Sequence, residues 1–353
     1  MRASTLLRLV PALLLPSCAP PPAPRDAASP EAAQAAPGAG VAPSSAGPGP
    51  AAAAPLGPEA ILERADLAAY HGWIRYLTFR ADHADERFGK GSERARHDRD
   101  ELTAWTQRIL DNPRVLSELR GVFEWAYLSP VDGSGQPFKL SVPLDYDAAR
   151  PAPLSLYMHG YSGNHLEHSL FMQERTQSFE VAVLGRSRGG RYRALSEADV
   201  LQVLDYVDAH WSIDASRVHL TGGSMGGAGT FWLGSRYPQR FASGRPVCGF
   251  GSDIPIGNLL TFPLYATHSD DDFVVPVLHA RGPIARLREL GGNATLDETT
   301  GLGHASWDYA EGNQRADAWH EARVRPASKA VTRLRFNALD GLARRAYWAE
   351  ISE

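Results

Sequence analysis

The sequence predicts an α/β fold: a mostly parallel central sheet with helices on both faces, preceded by a helical extension. Three observations predict it. From residue 154 onward, short apolar runs alternate with longer stretches of helical spacing, the βα alternation that builds a parallel sheet. An antiparallel hairpin pattern stands just before that series. Between one apolar run and one helical stretch lies Thr221-Gly222-Gly223-Ser224-Met225-Gly226-Gly227, a strand-to-helix turn that only small residues can make.

The elements follow in chain order. Residues 1–18 read as an export signal: Arg2 and Arg8 flank Leu9-Val10-Pro11-Ala12-Leu13-Leu14-Leu15, an apolar run too short to span a bilayer. Leu15-Pro16-Ser17-Cys18 resembles the bacterial lipobox, which implies a lipid on Cys18 as the only membrane attachment; plain secretion is the alternative. Either way the expected location is outside the cell or in the periplasm and envelope. Residues 19–58 are almost wholly Ala, Pro, Gly and Ser. Such a composition lacks the apolar bulk to offset ordering entropy and predicts a disordered linker.

Of 353 residues, about 295 then remain, enough for one large domain with a substantial core. A formal net charge of −4 without a basic stripe argues against a nucleic-acid partner. Of the two cysteines, only Cys248 lies beyond the signal, so no intramolecular disulfide is expected. It sits in Pro246-Val247-Cys248-Gly249, a buried strand end, and reads as a structural thiol.

Residues 59–121 carry two amphipathic helical patterns, one opened by Ile61, Leu62 and Ala65, the other by Leu102, Trp105 and Ile109. A loop at Phe88–Ser92 separates them, and the charged residues from Arg80 to Asp100 read as a solvated helix face. This extension is either prodomain-like or a cap over the site. The catalytic domain is expected over 122–322. It begins with a hairpin, Phe123–Tyr127 and Phe138–Val142 around Asp132-Gly133-Ser134-Gly135. Strands at 154–158, 181–184, 217–221, 262–267 and 293–298 follow, with helices at 198–211, 229–237 and near 277–290. Residues 323–353 read as a C-terminal β-hairpin, Ala330–Phe336 with Arg345–Ile351, that resembles the start of a truncated β module.

In an open parallel sheet, reactive groups gather at the carboxyl ends of strands. Gly-x-Ser-x-Gly between strand and helix is a nucleophile elbow, exposing Ser224 beside the N–H groups of the next helix. Two later strand ends supply partners: Asp272, 48 residues on, and His304, 32 residues further. The order serine, acid, histidine is that of the α/β-hydrolases.

The stretch from about 122 to 322 resembles the α/β-hydrolase superfamily, most closely its prolyl-oligopeptidase/dienelactone-hydrolase and polyhydroxybutyrate-depolymerase/feruloyl-esterase branches. The resemblance rests on His159-Gly160-Tyr161-Ser162-Gly163, the elbow, the acid loop ending Val274-Val275-Pro276, and Gly303-His304-x-x-Trp307. It implies a serine hydrolase with Ser224, Asp272 and His304 as the catalytic triad and the N–H groups of Tyr161 and Met225 as the oxyanion hole. Ser269 stands where these families have glycine, and Asp270 and Asp271 crowd the acid position.

The expected reaction is hydrolysis of a carboxylic ester, small or polymeric. A prolyl-oligopeptidase-like peptidase is the second reading, since no large propeller accompanies the domain, and a non-catalytic surface-binding protein on this scaffold is a third. Trp307 reads as a pocket wall. Arg188, among Arg186, Arg191 and Arg193, reads as a substrate-binding group for an anion, with solvated loop arginines as the alternative. No metal or cofactor is expected. His159, His165 and His168 lack a well-spaced ligand set, and Asp270–Asp272 lacks the glycine and distal glutamate of a calcium loop.

Overall fold

A computed structural model describes residues 56–167, 172 and 174–351. The export signal, Cys18 and nearly all of the linker lie outside the described residues, as does His168. Among the described residues no helix is long and apolar enough to cross a membrane.

The helical extension comprises α1 (Glu59–Leu62), α2 (Ala68–Asp82), α3 (Ala84–Phe88), α4 (Glu93–Asp111) and α5 (Val115–Glu118). Eight strands form one sheet: β1 (Gly121–Leu128), β2 (Gly135–Val142), β3 (Ala152–Met158), β4 (Phe179–Val183), β5 (Ile213–Gly223), β6 (Ser243–Val247), β7 (Leu264–Ser269) and β8 (Ala294–Thr299). Their order is β1-β2-β4-β3-β5-β6-β7-β8, with only the β1–β2 and β2–β4 pairings antiparallel. The connecting helices are α6 (Leu195–His210), α7 (Met225–Arg236), α8 (Leu278–Glu289) and α9 (Ala310–Glu321).

The extension settles at one edge of the sheet. Trp73 of α2 stacks on Trp125 of β1 with centroids 5.0 Å apart, and Trp105 of α4 meets both rings edge-on. The backbones approach so closely that a Cβ on Gly72 would lie 2.1 Å from the carbonyl carbon of Tyr127. None of residues 59–118 lines the cavity at Ser224 described below. The charged stretch is not simply a solvated face either. Asp98 is buried and bonded to Arg80, whose guanidinium also reaches Glu101 and Glu124.

The two faces of the central strands differ. Leu154, Leu156, Met158, Val181, Val183, Val218 and Leu220 join α6 and α7 in one core; each such side chain stabilises by roughly 1.5–3 kcal/mol. The opposite face, under α9, is polar: the register sets Glu180, Ser155, His219 and Ser243 side by side across β4, β3, β5 and β6.

The expected C-terminal hairpin is corrected. Residues 331–336 form no strand, and only β9 (Arg345–Ala346) pairs with β10 (Ala349–Glu350). The tail's backbone is instead met in part by the domain beneath and in part by the tail itself. Arg325 N–H donates to Ser216 O, Asn337 N–H to the Asn258 side chain, and Trp348 Nε1–H to Val331 O. A run whose groups are met individually has no need of a ladder.

A buried cluster locks α7 to α6. The Glu197 carboxylate accepts from Trp232 Nε1 and Arg236 Nε at 2.7 Å each, and from the Tyr237 hydroxyl. Arg236 is 1% exposed and also pairs with Asp340 of the tail. Removing one partner of a buried pair costs about 3–5 kcal/mol. Because Asp340 still meets the guanidinium, Glu197→Ala is expected at the lower end, about 3 kcal/mol in urea unfolding. A loss below about 1 kcal/mol would contradict this account of the cluster.

Candidate active site

The serine sits between β5 and α7 at φ 54°, ψ −113°, a conformation costing an L-residue on the order of 1–3 kcal/mol and kept only where surroundings enforce it. Here its amide donates to Val247 O at 2.8 Å and its carbonyl accepts from Ala228 N–H at 3.0 Å. The glycines have a steric reason. A Cβ on Gly226 would lie 1.9 Å from Met158 O, and one on Gly222 would lie 2.5 Å from the carbonyl carbon of Gly226. Any side chain there would push α7 off the sheet. The helix begins at Met225, directly after the serine and earlier than the sequence pattern suggests.

The acid loop and histidine loop converge on Ser224. His304 Nε2 lies 2.8 Å from Ser224 Oγ, and His304 Nδ1 lies 2.7 Å from Asp272 Oδ2. With the carboxylate ionised, Nδ1 carries the proton, which leaves the Nε2 lone pair to accept the serine hydroxyl. The Asp272 side chain is fully buried. Its other oxygen accepts from Val274 and Val275 N–H, both at 2.9 Å, so the Val-Val-Pro segment orients the carboxylate.

The neighbouring acids take other partners. Asp270 accepts from the Thr300 hydroxyl, and Asp271 from the Ser269 hydroxyl and Gly303 N–H. Those bonds, the Ser269 hydroxyl foremost, hold the Asp271 carboxyl below its usual range. His268 is a supporting residue the sequence reading passed over. Burial lowers its pKa; it is 2.8 Å from Val275 O and 3.2 Å from Asp272 Oδ2, braced against the buried carboxylate.

Ser224 and His304 line a cavity of about 680 Å³ together with Tyr161, Val274, Trp307 and the strand residues Tyr157, Thr221 and Arg245. Trp307 stands edge-on to His304, with centroids 5.6 Å apart. Gly160 approaches until its Cβ would lie 3.7 Å from the Ser224 Cβ, which brings the start of the Tyr161 loop against the serine. His159 fixes that loop between the Gly160 and Leu184 carbonyls.

Arg188 is not brought to the cavity. Its guanidinium donates to Ser162 O and lies 3.4 Å from Glu167, bracing the loop from outside. Arg186 pairs with Asp132, and Arg193 covers the Trp232 ring and meets Asp253. A second brace is Glu124 of β1, which accepts from His165 Nε2 and the Tyr76 hydroxyl, both at 2.7 Å. It joins residues far apart in sequence, and no local pattern announces it. Among the described residues, two side-chain groups have metal-compatible spacing. One is Cys248, Asp272 and His304, where the latter two already bond each other; the other is His97, Asp98 and Glu101, where both acids meet Arg80.

A serine on a strained strand-to-helix turn, with this strand order around it, defines the α/β-hydrolase fold. Residues 136–336 match the family model described as "Putative esterase", and the chain belongs to that family. Among solved structures it is similar to a thermostable esterase at 24% identity and a TM-score of 0.52, over 58% of this chain and 63% of that one. It thus spans less than two thirds of that protein. Two further likenesses are an acylaminoacyl peptidase of Pyrococcus horikoshii (15% identity, TM-score 0.47, 61% of this chain and 44% of that) and a ferulic acid esterase of Anaeromyces mucronatus (14%, 0.45, 54% and 86%). No curated protein matches the chain.

Cys248 lies at the β6 end with its Sγ 3.9 Å from His304 O. Burial pushes its thiol pKa up to about 12, so at pH 8 it is an un-ionised and unreactive thiol. Iodoacetamide at pH 8 should leave the Cys248 peptide unmodified in native protein and alkylate it in urea, as read by mass spectrometry. Rapid native labelling would overturn this.

Proposed function

We propose that the chain is a carboxylic ester hydrolase in which Ser224 is the nucleophile, His304 the general base and acid, and Asp272 the group that orients and stabilises the imidazole. The observation that carries the reading is the unbroken line of short hydrogen bonds from Asp272 through His304 to Ser224. Ser224 Oγ attacks the ester carbonyl as its proton passes to His304 Nε2. The tetrahedral oxyanion is received by the N–H groups of Met225 and Tyr161, and the proton is delivered to the departing alcohol. Water, deprotonated by the same nitrogen, then releases the acid from the acyl-enzyme and restores the serine. Trp307 walls the site. We read the chain as exported and tethered through Cys18, on the Arg2–Cys18 pattern.

Ser224→Ala should lower turnover of p-nitrophenyl butyrate on the order of a millionfold and abolish labelling by a fluorophosphonate probe. Asp272→Asn should lower it about ten-thousandfold, since the wrong tautomer then faces the serine. Undiminished labelling of Ser224→Ala would sink the assignment of the nucleophile. Faster cleavage of a proline anilide than of any ester in the same assay would favour the peptidase reading.

A further inference from the structure

A parallel sheet covered on both faces ordinarily has apolar strands throughout. Here the face opposite α7 carries a run of polar side chains on its approach to the nucleophile. Glu180, Ser155, His219 and Ser243 form one row, and Ala182, Tyr157, Thr221 and Arg245 form the next toward the carboxyl ends. Gly223 and Val247 lie beyond them, just before Ser224. From His219 to Gly223 is four residues of one strand, about 13 Å.

The far end of this floor holds two imidazoles and one hydroxyl. Ser243 Oγ is 2.9 Å from His219 Nδ1 and 2.8 Å from His320 Nδ1, and the rings are 4.5 Å apart. His219 is 3% and His320 5% exposed. The Nε2 atoms of both are buried with no hydrogen-bond partner among the described residues. An unmet buried group of this kind typically costs about 1–3 kcal/mol, which a matching ligand would recover.

Proton counting says what would match. Burial depresses both imidazoles, His219 to about 4, so both are neutral at pH 7. The Ser243 hydroxyl donates to one Nδ1 and accepts from the Nδ1–H of the other. The first ring then keeps its proton on Nε2, and the second presents a lone pair there. One donor and one acceptor on rings 4.5 Å apart suit a hydroxyl group, which is both. The charges around the two rings are already matched: Arg217 bonds Asp214 at 2.6 Å, Arg245 bonds Asp317 at 2.6 Å, and Arg175 lies 3.7 Å from Glu180.

His320 lines the cavity at Ser224, and His219 and His320 line an adjoining cavity of about 910 Å³. The two share Ser155, Arg175, Glu180, Asp317 and His320. We propose that His219, Ser243 and His320 form a subsite that binds a neutral hydroxyl group of the substrate, about 13 Å from the scissile carbonyl along the β5 floor. The proposal rests on Ser224 being the nucleophile and adds what the substrate must carry.

Two matched pairs of esters test it with the full chain. One pair is the p-nitrophenyl esters of dodecanoic and ω-hydroxydodecanoic acid; the other is the acetate of dodecanol and the monoacetate of the α,ω-diol of the same length. In one of the two pairs the hydroxylated ester should be preferred about tenfold or more in kcat/KM. That ratio should collapse toward one in Ser243→Ala and in His320→Phe, each checked for folding by its thermal melt. Being a ratio, it does not move with a general loss of activity. In Ser224→Ala, hydrolysis of every ester should vanish while the same preference persists in Kd. Retained hydrolysis there would defeat the nucleophile assignment and leave the ratio to judge the subsite. Ratios near one in both wild-type pairs would overturn the subsite, as would ratios unchanged by the variants. Stoichiometric zinc binding in calorimetry, lost in His320→Phe, would replace it with a metal site.

Discussion

The closeness of α7 to the end of β3 governs the site. Only hydrogen fits where the Cα of Gly226 faces Met158 O, and that contact fixes how far the helix descends onto the sheet. Because α7 starts so low, Ser224 is forced into a strained backbone and its side chain is thrown clear of the strand ends. The strain is held from below by β6 through Val247 O and from behind by Glu197, which bonds three side chains on and just beyond α7. The serine's access to the cavity is thus a consequence of packing on the opposite side of the sheet.

That division of labour extends across the central strands. Their α7 face consists of apolar side chains in one continuous core, and their other face places two hydroxyls and one imidazole in register. Stability and recognition therefore use alternate residues of the same strands, as the two-residue period of a strand allows. A substitution at Leu220 acts on folding, and one at His219 or Thr221 acts on what the cavity accepts.

Much of this was legible in the sequence because it is enforced locally. The elbow glycines answer to contacts within a few residues of the turn. The acid and histidine stand at strand ends, where an alternating βα pattern must put them. Among three consecutive aspartates, motif spacing favoured Asp272, and the two valine amides that hold its carboxylate lie within three residues of it. Arg188 failed because a loop arginine's direction depends on partners, Ser162 O and Glu167, that no spacing predicts. The tail failed for the opposite reason. Its alternating pattern is real, but single hydrogen bonds to the domain and within the tail stand in place of the partner strand. The Glu124–His165 brace spans 41 residues of sequence and two structural layers, beyond the reach of any periodicity. The polar sheet face escaped the reading of 217–221 as a strand, because the partners that set His219 beside Ser155 and Ser243 lie on other strands.

Ser269, the departure from the family glycine, has a mechanical consequence. Its hydroxyl donates to Asp271 and accepts from Leu302 N–H, while Asp271 also holds Gly303 N–H. The loop bearing the carboxylate and the loop bearing the imidazole are thereby riveted at two points just upstream of His304. The spacing between imidazole and carboxylate is therefore set by the backbone of both loops as well as by the bond between the two side chains.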